Sequence, residues 1–381
     1  MHFAAHRRVP ILSGLAAAAV ALAIGASPVA ASFDRQTLVS SQQHQYVISG
    51  IAADGPNVAV AWGVDAYGQP ASIKLRWSTD RGVHFGPPID LGTATNAALA
   101  ICGGFVAAER VGGGDVALDL VPLDGSPATT RVVVSGRPIS YGAGIACVGG
   151  RQLGLSWMEY VGGAWHLKLA VVPVVEALPT YEFDPGPTNF ERGFGIAATN
   201  DALWLGWPNA DGVFVRRFDV ANDANGTVTS NPRVKAARSG DTSVSMAVAD
   251  GRVYVGFTRP TQAVMKVSSD GGLHFGATKL IYDAAPTGRP VGLISLAALE
   301  NGVLADVALG AWGSICDGFG LYSSDWGRHW LKTPTKTGGY MLGAFTGSGP
   351  GMRLVEAWDN RASHDQLGER AAITFRVGLP R

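Results

Sequence analysis

A set of side chains on one group of predicted loops could do chemistry together: Arg110, Arg137, Tyr141, Glu159, Glu191, Arg192, Arg259, Arg289, Tyr340 and Asp359. An arginine guanidinium is a planar fork of donors that grips a carboxylate through two parallel hydrogen bonds. Glutamate and aspartate accept hydrogen bonds or move protons, and tyrosine joins an aromatic face to a hydroxyl. Such a mixture suits a polar or anionic ligand, with a glycan or an acidic small molecule as the expected class. Arg137, Arg192 and Arg289 each precede a predicted innermost strand and could converge as a triad. Solvated loop arginines are the plainer reading of the same residues. No cofactor motif is present, and no Cys/His cluster has metal-site spacing. His84, His274 and His329 sit in equivalent turns of separate repeats, so they are not expected to converge on one ion.

What must position these residues is a repeated unit, and repeats are best sought first. One phrase recurs: a strand of small and apolar residues, a Gly-rich turn, then a strand ending in a large side chain. It runs from Ile48 to Trp62, returns from Leu99 to Arg110, and appears again from Gly144 to Trp157 and from Gly195 to Trp207. Ser245 to Phe257, Ser295 to Trp312 and Leu342 to Trp358 complete the series. The end markers 62, 110, 157, 207, 257, 312 and 358 are spaced 48, 47, 50, 50, 55 and 46 residues apart. Two more alternating runs follow in most copies, such as Ile73–Trp77 and Thr130–Val134. Period-two alternation between Gly, Asp and Asn turns is the mark of antiparallel strands. Four strands per repeat near this period predict an all-β propeller of seven four-stranded blades, with six blades and a decorated segment as the alternative. Loops between second and third strands, and loops between blades, then share the face that carries the residues named above. The aromatic markers are expected in the core between blades.

The last copy stops after its third run, Ile373–Val377, while an orphan strand, Thr37–Ser40, precedes the first. The two are expected to pair and close the ring, removing two free edges. Cys102 and Cys147 occupy the same innermost strand of adjacent copies and are expected to bond, leaving Cys316 free.

Composition narrows the classes further. Lys plus Arg and Asp plus Glu both number 30, a balance that argues against a nucleic-acid partner. Only 16% of residues are charged and 51 are glycine, as expected of many short strands joined by tight turns. His6, Arg7 and Arg8 precede an apolar run from Leu15 to Ile24, then Ser27-Pro28 and the small residues Val29-Ala30-Ala31. That order predicts a secretory signal peptide, 1–31, cleaved near Ala31, with one domain over 32–381 and no membrane anchorage afterwards. Asp219 to Gly226 has a faint calcium-loop flavour but lacks the ligand spacing, so a polar turn is expected there.

Three turns share a motif: Ser78-Thr-Asp80-Arg-Gly82-Val-His-Phe85, Ser268-Ser-Asp270-Gly-Gly272-Leu-His-Phe275 and Ser323-Ser-Asp325-Trp-Gly327-Arg-His-Trp330. Ser and Asp can bond the turn backbone, Gly permits positive φ, and the aromatic can fold back over the hairpin. The pattern resembles the Asp-box (BNR) repeat of the sialidase superfamily. That resemblance implies a sialidase-like propeller in which the boxes are structural. A sialidase would need three arginines clamping a carboxylate, a Tyr nucleophile with a Glu partner, and an Asp acid/base. The family's Arg-Ile-Pro signature is absent; Gly136-Arg137-Pro138 and Gly288-Arg289-Pro290 differ from it and follow the first box. No catalytic residue therefore transfers. The expected function is binding of a glycan or an extracellular protein by a monomer, on the face opposite the boxes. An exo-glycosidase of sialidase type with a diverged site is the alternative.

Overall fold

The structure is a computed structural model that describes residues 32–40, 45–64, 71–175, 179, 181–188, 193–221, 226–310, 317–337, 341–346, 352–359 and 373–379. The expected signal segment, Cys316, Glu191, Arg192 and Tyr340 lie outside the described residues. The fold is an all-β propeller of antiparallel sheets. Its one described helical piece is a single 3-10 turn, Ala285–Thr287.

The described strands fall into seven sheets, numbered in chain order from the first innermost strand. Sheet 1 is Gln45–Asp54, Asn57–Val64, Ala71–Ser78 and Ile89–Ala94. Sheet 2 is Asn96–Cys102, Phe105–Gly112, Asp115–Pro122 and Thr129–Val134. Sheet 3 contains Ile139–Val148, Gln152–Val161 and Ala164–Pro173, with Tyr181–Phe183 and Pro187–Thr188 both pairing the third strand. Sheet 4 contains Gly195–Ala198, Ala202–Asn209 and Gly212–Val220, flanked likewise by Val228–Ser230 and Val234–Arg238. Sheet 5 is Thr242–Ala249, Arg252–Arg259, Gln262–Ser268 and Lys279–Asp283. Sheet 6 is Val291–Leu299, Gly302–Leu309, Asp317–Ser323 and Leu331–Thr337. Sheet 7 takes Met341–Thr346, Arg353–Asp359 and Ile373–Leu379 from the end of the chain and Ser32–Ser40 from its start.

The register of that last pair sets Thr37 opposite Phe375, Leu38 opposite Thr374 and Ser40 opposite Ile373, so the orphan strand closes the last sheet as expected. Innermost strands of consecutive sheets touch all the way round, including sheet 7 against sheet 1. The core is divided in the same way. Each apolar cluster sits between two neighbouring sheets, from Leu75 and Val106 between sheets 1 and 2 to Trp62 and Val355 between sheets 7 and 1. Trp62, Trp157, Trp207 and Phe257 are fully buried in these inter-sheet layers, as expected of the repeat markers. Near the axis the sheets converge closely. A Cβ on Gly195 would lie 2.5 Å from the backbone nitrogen of Met246, so only glycine fits there.

The register also corrects two of the repeat markers. Gly195 faces Gly206, Ser245 faces Gly256, Ser295 faces Asp306 and Gly343 faces Glu356. The residues that follow, 207, 257, 307 and 357, are the equivalent markers. Val307 and Ala357 therefore hold the place assigned above to Trp312 and Trp358. Trp312 and Trp358 follow these positions in the sequence by five residues and by one, and no aromatic marks the phase itself in the last two copies. The corrected interval is a steady 50 residues over the last four copies.

The three Ser-x-Asp-x-Gly turns are built alike. Each serine hydroxyl accepts the glycine N–H at 2.8 Å and donates to the aspartate at 2.6–2.8 Å. Each aspartate also accepts the N–H of the histidine four residues on and meets its Nδ1. Burial alone would raise the Asp80 and Asp325 carboxyls, but the hydrogen bonds prevail and hold both at about 2. At Asp270 the Ser268 hydroxyl leads the same downward shift. Gly82, Gly272 and Gly327 have φ values of 78°, 92° and 72°, and a Cβ at Gly327 would strike Met265. Phe85, Phe275 and Trp330 pack onto inter-sheet clusters. The first and third of these turns bond the adjacent first-to-second hairpins through Arg81 N–H to Pro56 O and Trp326 N–H to Asn301 O, so both kinds of turn occupy one face.

Candidate functional site

The four described arginines expected to grip a ligand, Arg110, Arg137, Arg259 and Arg289, are engaged within the protein. Arg110 takes the marker position of sheet 2, where four other sheets bury an aromatic. Its Nε meets Asp119 Oδ2 at 2.5 Å and its Nη1 donates to Thr93 O at 3.2 Å. Asp119 is completely buried and also accepts the Thr130 hydroxyl at 2.6 Å. An ion pair thus fills a slot in the core, and the charge of Arg110 is cancelled where it sits. Arg137 turns outward to Glu182 on the outer strand, at 3.1 Å, and lies 3.4 Å from Glu159. Glu159 is buried and accepts the Trp157 indole N–H at 2.9 Å. Arg259 pairs with Asp241 at 3.1 Å, and Arg289 pairs with Asp317 while donating to Leu309 O.

Of the expected set, then, the structure brings together Arg137 and Glu159. It does not gather Arg137 and Arg289 at the axis, since each is held by carboxylates of its own sheet or a neighbouring strand. Tyr141 sits opposite Met158 in the register and Asp359 opposite Ile373. Each motif histidine meets the aspartate of its own turn, and no metal-binding group of three His, Cys, Asp or Glu occurs among the described residues. Asp219, at the start of the calcium-like stretch, is taken by Arg217 and Asn231.

What sequence reasoning missed lies at the axis. A cavity of about 310 Å³ is lined by Ala143, Phe194, Val244, Ser245, Leu293–Ser295, Asp306–Ala308 and Leu342. Phe194 immediately precedes the innermost strand of sheet 4, Asp306–Ala308 come from the closing half of a second strand, and the others come from the opening halves of innermost strands. These strand halves lie toward the face opposite the Ser-x-Asp turns, the face expected to carry a site. The walls are apolar, with one aromatic ring from Phe194, and the polar groups are few: Ser245, Ser295 and Asp306. The Ser245 oxygen accepts the Leu296 N–H at 2.9 Å, which fixes its direction and leaves its proton free to donate elsewhere.

Asp306 belongs to a buried series. The equivalent register position is Ala61 in sheet 1, then Glu109, Ser156, Gly206, Gly256, Asp306 and Glu356 in the sheets that follow. Glu109 Oε2 accepts the Gly144 N–H of the next sheet at 2.9 Å. Asp306 accepts the Gly343 N–H across the equivalent boundary. Burial pushes the Glu109 carboxyl well above the usual range, and it does the same to Asp306, where the neighbouring Glu356 adds to the effect. Carboxyls in this state are donors as well as acceptors. A faint signal for them exists in the sequence: a single acid inside an otherwise apolar strand, as in Val303-Leu-Ala-Asp306-Val-Ala-Leu309 and Leu354-Val-Glu356-Ala.

The upward shift has a consequence for stability. The folded state holds the Asp306 proton more tightly than the unfolded chain, so stability is fully present below the unfolded value of about 4 and falls as pH rises toward the folded value. Asp306→Asn removes this loss. We expect the variant to equal the wild type near pH 4 and to melt higher at pH 7–8, measured by thermal unfolding across pH. A variant that melts lower at every pH would contradict the assignment.

No protein-family model matches the chain, and no curated protein matches it in sequence. Solved structures do resemble it. The Aleuria aurantia lectin bound to Fucα1-6GlcNAc is 13% identical with a TM-score of 0.50, covering 78% of this chain and 98% of the lectin. That lectin is described as a six-bladed β-propeller with a fucose recognition mode. The Trypanosoma rangeli sialidase bound to sialic acid is 10% identical with a TM-score of 0.50, covering 92% of this chain and 57% of the sialidase. At these identities the likeness speaks to the fold, which is that of a β-propeller.

Proposed function

We propose that this chain is a secreted, sialidase-like propeller that binds a glycan on the face opposite its Ser-x-Asp turns, which we read as Asp-boxes. In this reading residues 1–31 are removed on export and 32–381 act as one monomeric domain without a cofactor. Each of the seven hydrogen-bonded sheets counts as one blade; the six-blade alternative is the arrangement described for the lectin. The observation that carries the function is the contrast on that face. The four described candidate arginines, Arg110, Arg137, Arg259 and Arg289, are paired with carboxylates of the protein itself, while an axial cavity with apolar walls and a few polar groups remains open to a ligand. Cavities of this composition are the usual place for small-molecule binding, and rigid scaffolds commonly place binding groups on variable loops. Fold likeness alone would not choose between lectin and hydrolase.

A second reading, glycoside hydrolysis, is favoured by one observation: Asp306 and Glu356 are buried acids on adjacent sheets, and glycosidases work with paired carboxyls. One experiment separates the two. Residues 32–381 are screened on a glycan array and assayed for release of sugar from fluorogenic glycosides, sialosides included. Retention of glycans without turnover is expected. Arg289→Ala, in which the arginine held by Asp317 is removed, should leave the array profile unchanged. Turnover of a sialoside that this change abolishes would establish an arginine-dependent enzyme in place of a binder.

A further inference from the structure

Resting on that reading, we propose that the axial cavity takes a single neutral sugar unit, with the carboxyl of Asp306 as its polar anchor and the ring of Phe194 as an apolar wall. Three features of the cavity carry this. The first is the unfinished hydrogen bonding of Asp306. It is 4% exposed and lines the cavity, one oxygen side is occupied by the Gly343 N–H, and Oδ1 has no partner. A buried polar atom left unpaired is costly, and a ligand hydroxyl placed against it recovers that cost.

The second is size. Ligand cavities run from about 300 to 1,000 Å³, and this one, at about 310 Å³, sits at the small end. It has room for one ring and not for an extended oligosaccharide, so the remainder of a glycan would leave through the mouth. The third is charge. No lysine or arginine lines the cavity among its described residues, and its one ionisable group is an acid. Among the described lining residues an anionic sugar would meet a carboxyl and no compensating cation, which disfavours its burial. A neutral sugar has no such penalty. Its hydroxyls can pair with Asp306, Ser245 and Ser295, and its C–H face can lie on Phe194 and the aliphatic wall. Phe194 is held for that role, since its ring packs so closely on sheet 3 that a Cβ on Gly142 or Gly144 would fall within 3.0 Å of it.

The test uses methyl glycosides of neutral hexoses and of N-acetylneuraminic acid as probes, with saturation-transfer NMR for contact and titration for affinity. Wild-type 32–381 is expected to bind at least one neutral glycoside and to discriminate against the acidic one. Asp306→Leu should weaken binding by about tenfold or more, since it removes a buried hydrogen-bond pair at similar volume. Asp306→Asn, which keeps a donor and an acceptor, should stay within about threefold. Ser295→Leu keeps Asp306 and narrows the cavity, so it guards against misfolding of the first variant, and it should weaken binding as well. If the array finds glycans but Asp306→Leu and Ser295→Leu bind them as well as wild type, the cavity proposal fails and the broader binding reading stands. Preference for the acidic probe would overturn the neutral class. If neither probe nor any arrayed glycan binds the folded wild type, both readings fall together.

Discussion

A chain shortened to begin at Gln45, without the strand Ser32–Ser40, is expected to lose much of its stability and to associate. The strand supplies the fourth position of sheet 7 and runs antiparallel to Ile373–Leu379 from Ser32 opposite Leu379 to Ser40 opposite Ile373. These two strands come from opposite ends of the sequence, so their pairing turns an open arc of sheets into a ring. At a net gain of about 1 kcal/mol for each ladder hydrogen bond, the pairing is worth several kcal/mol, against a total stability of about 5–15 kcal/mol. Removing it also exposes the edge of Ile373–Leu379, a template for pairing with other chains. The expected result is a melting transition lowered by more than about 10 °C, with oligomers or aggregate in size-exclusion chromatography. Adding the peptide 32–40 in trans should restore part of the loss. A truncated protein that elutes in the same oligomeric state as the full-length chain and melts with it would show that closure contributes little.

The second large effect concerns the bond between sheets 2 and 3. Cys102 and Cys147 form a disulfide with Cα atoms 5.4 Å apart and 45 residues of separation. Constraining a loop of that length in the unfolded chain is worth about 4 kcal/mol in the chain-entropy model. Replacing both cysteines by serine should therefore lower the melting temperature by roughly 5–10 °C. Reducing agent should bring the wild type down to the same value and leave the variant unmoved. Equal melting of oxidised and reduced wild type would refute the assignment. A bond of this kind persists in oxidising compartments, which accords with the proposed export.

These two features were both legible in the sequence, and for the same reason. Strand alternation and turn residues are local properties, and a repeat multiplies a local pattern until equivalent positions can be compared. Cys102 and Cys147 fall on matching strands of consecutive copies, and a final copy one strand short implies that Ser32–Ser40 or its neighbourhood completes it. The buried aromatics Trp62, Trp157, Trp207 and Phe257 were readable in the same way, because a large apolar residue at a fixed phase of every repeat has few places to go but the core. The turns Ser78–Phe85, Ser268–Phe275 and Ser323–Trp330 follow from chemistry confined to eight residues.

What the tertiary structure alone decided depends on contacts between repeats or on exact register. Arg110 stands at an aromatic position, and only the fold reveals Asp119 and Thr130 there, so that its charge is paired inside the protein. Arg137, Arg259 and Arg289 read as loop cations until Glu182, Asp241 and Asp317, each distant from its partner in the pattern, take up their charge. The markers at Val307 and Ala357 carry no aromatic, so the phase of the last two copies had to come from hydrogen-bond pairing. With that phase corrected, Glu109, Asp306 and Glu356 fall into one buried position of the ring. Composition and spacing could show that each is an acid in an apolar strand. That Asp306 meets a cavity, with one oxygen unpaired and a second acid nearby, follows from the convergence of sheets around an axis, which no single repeat encodes.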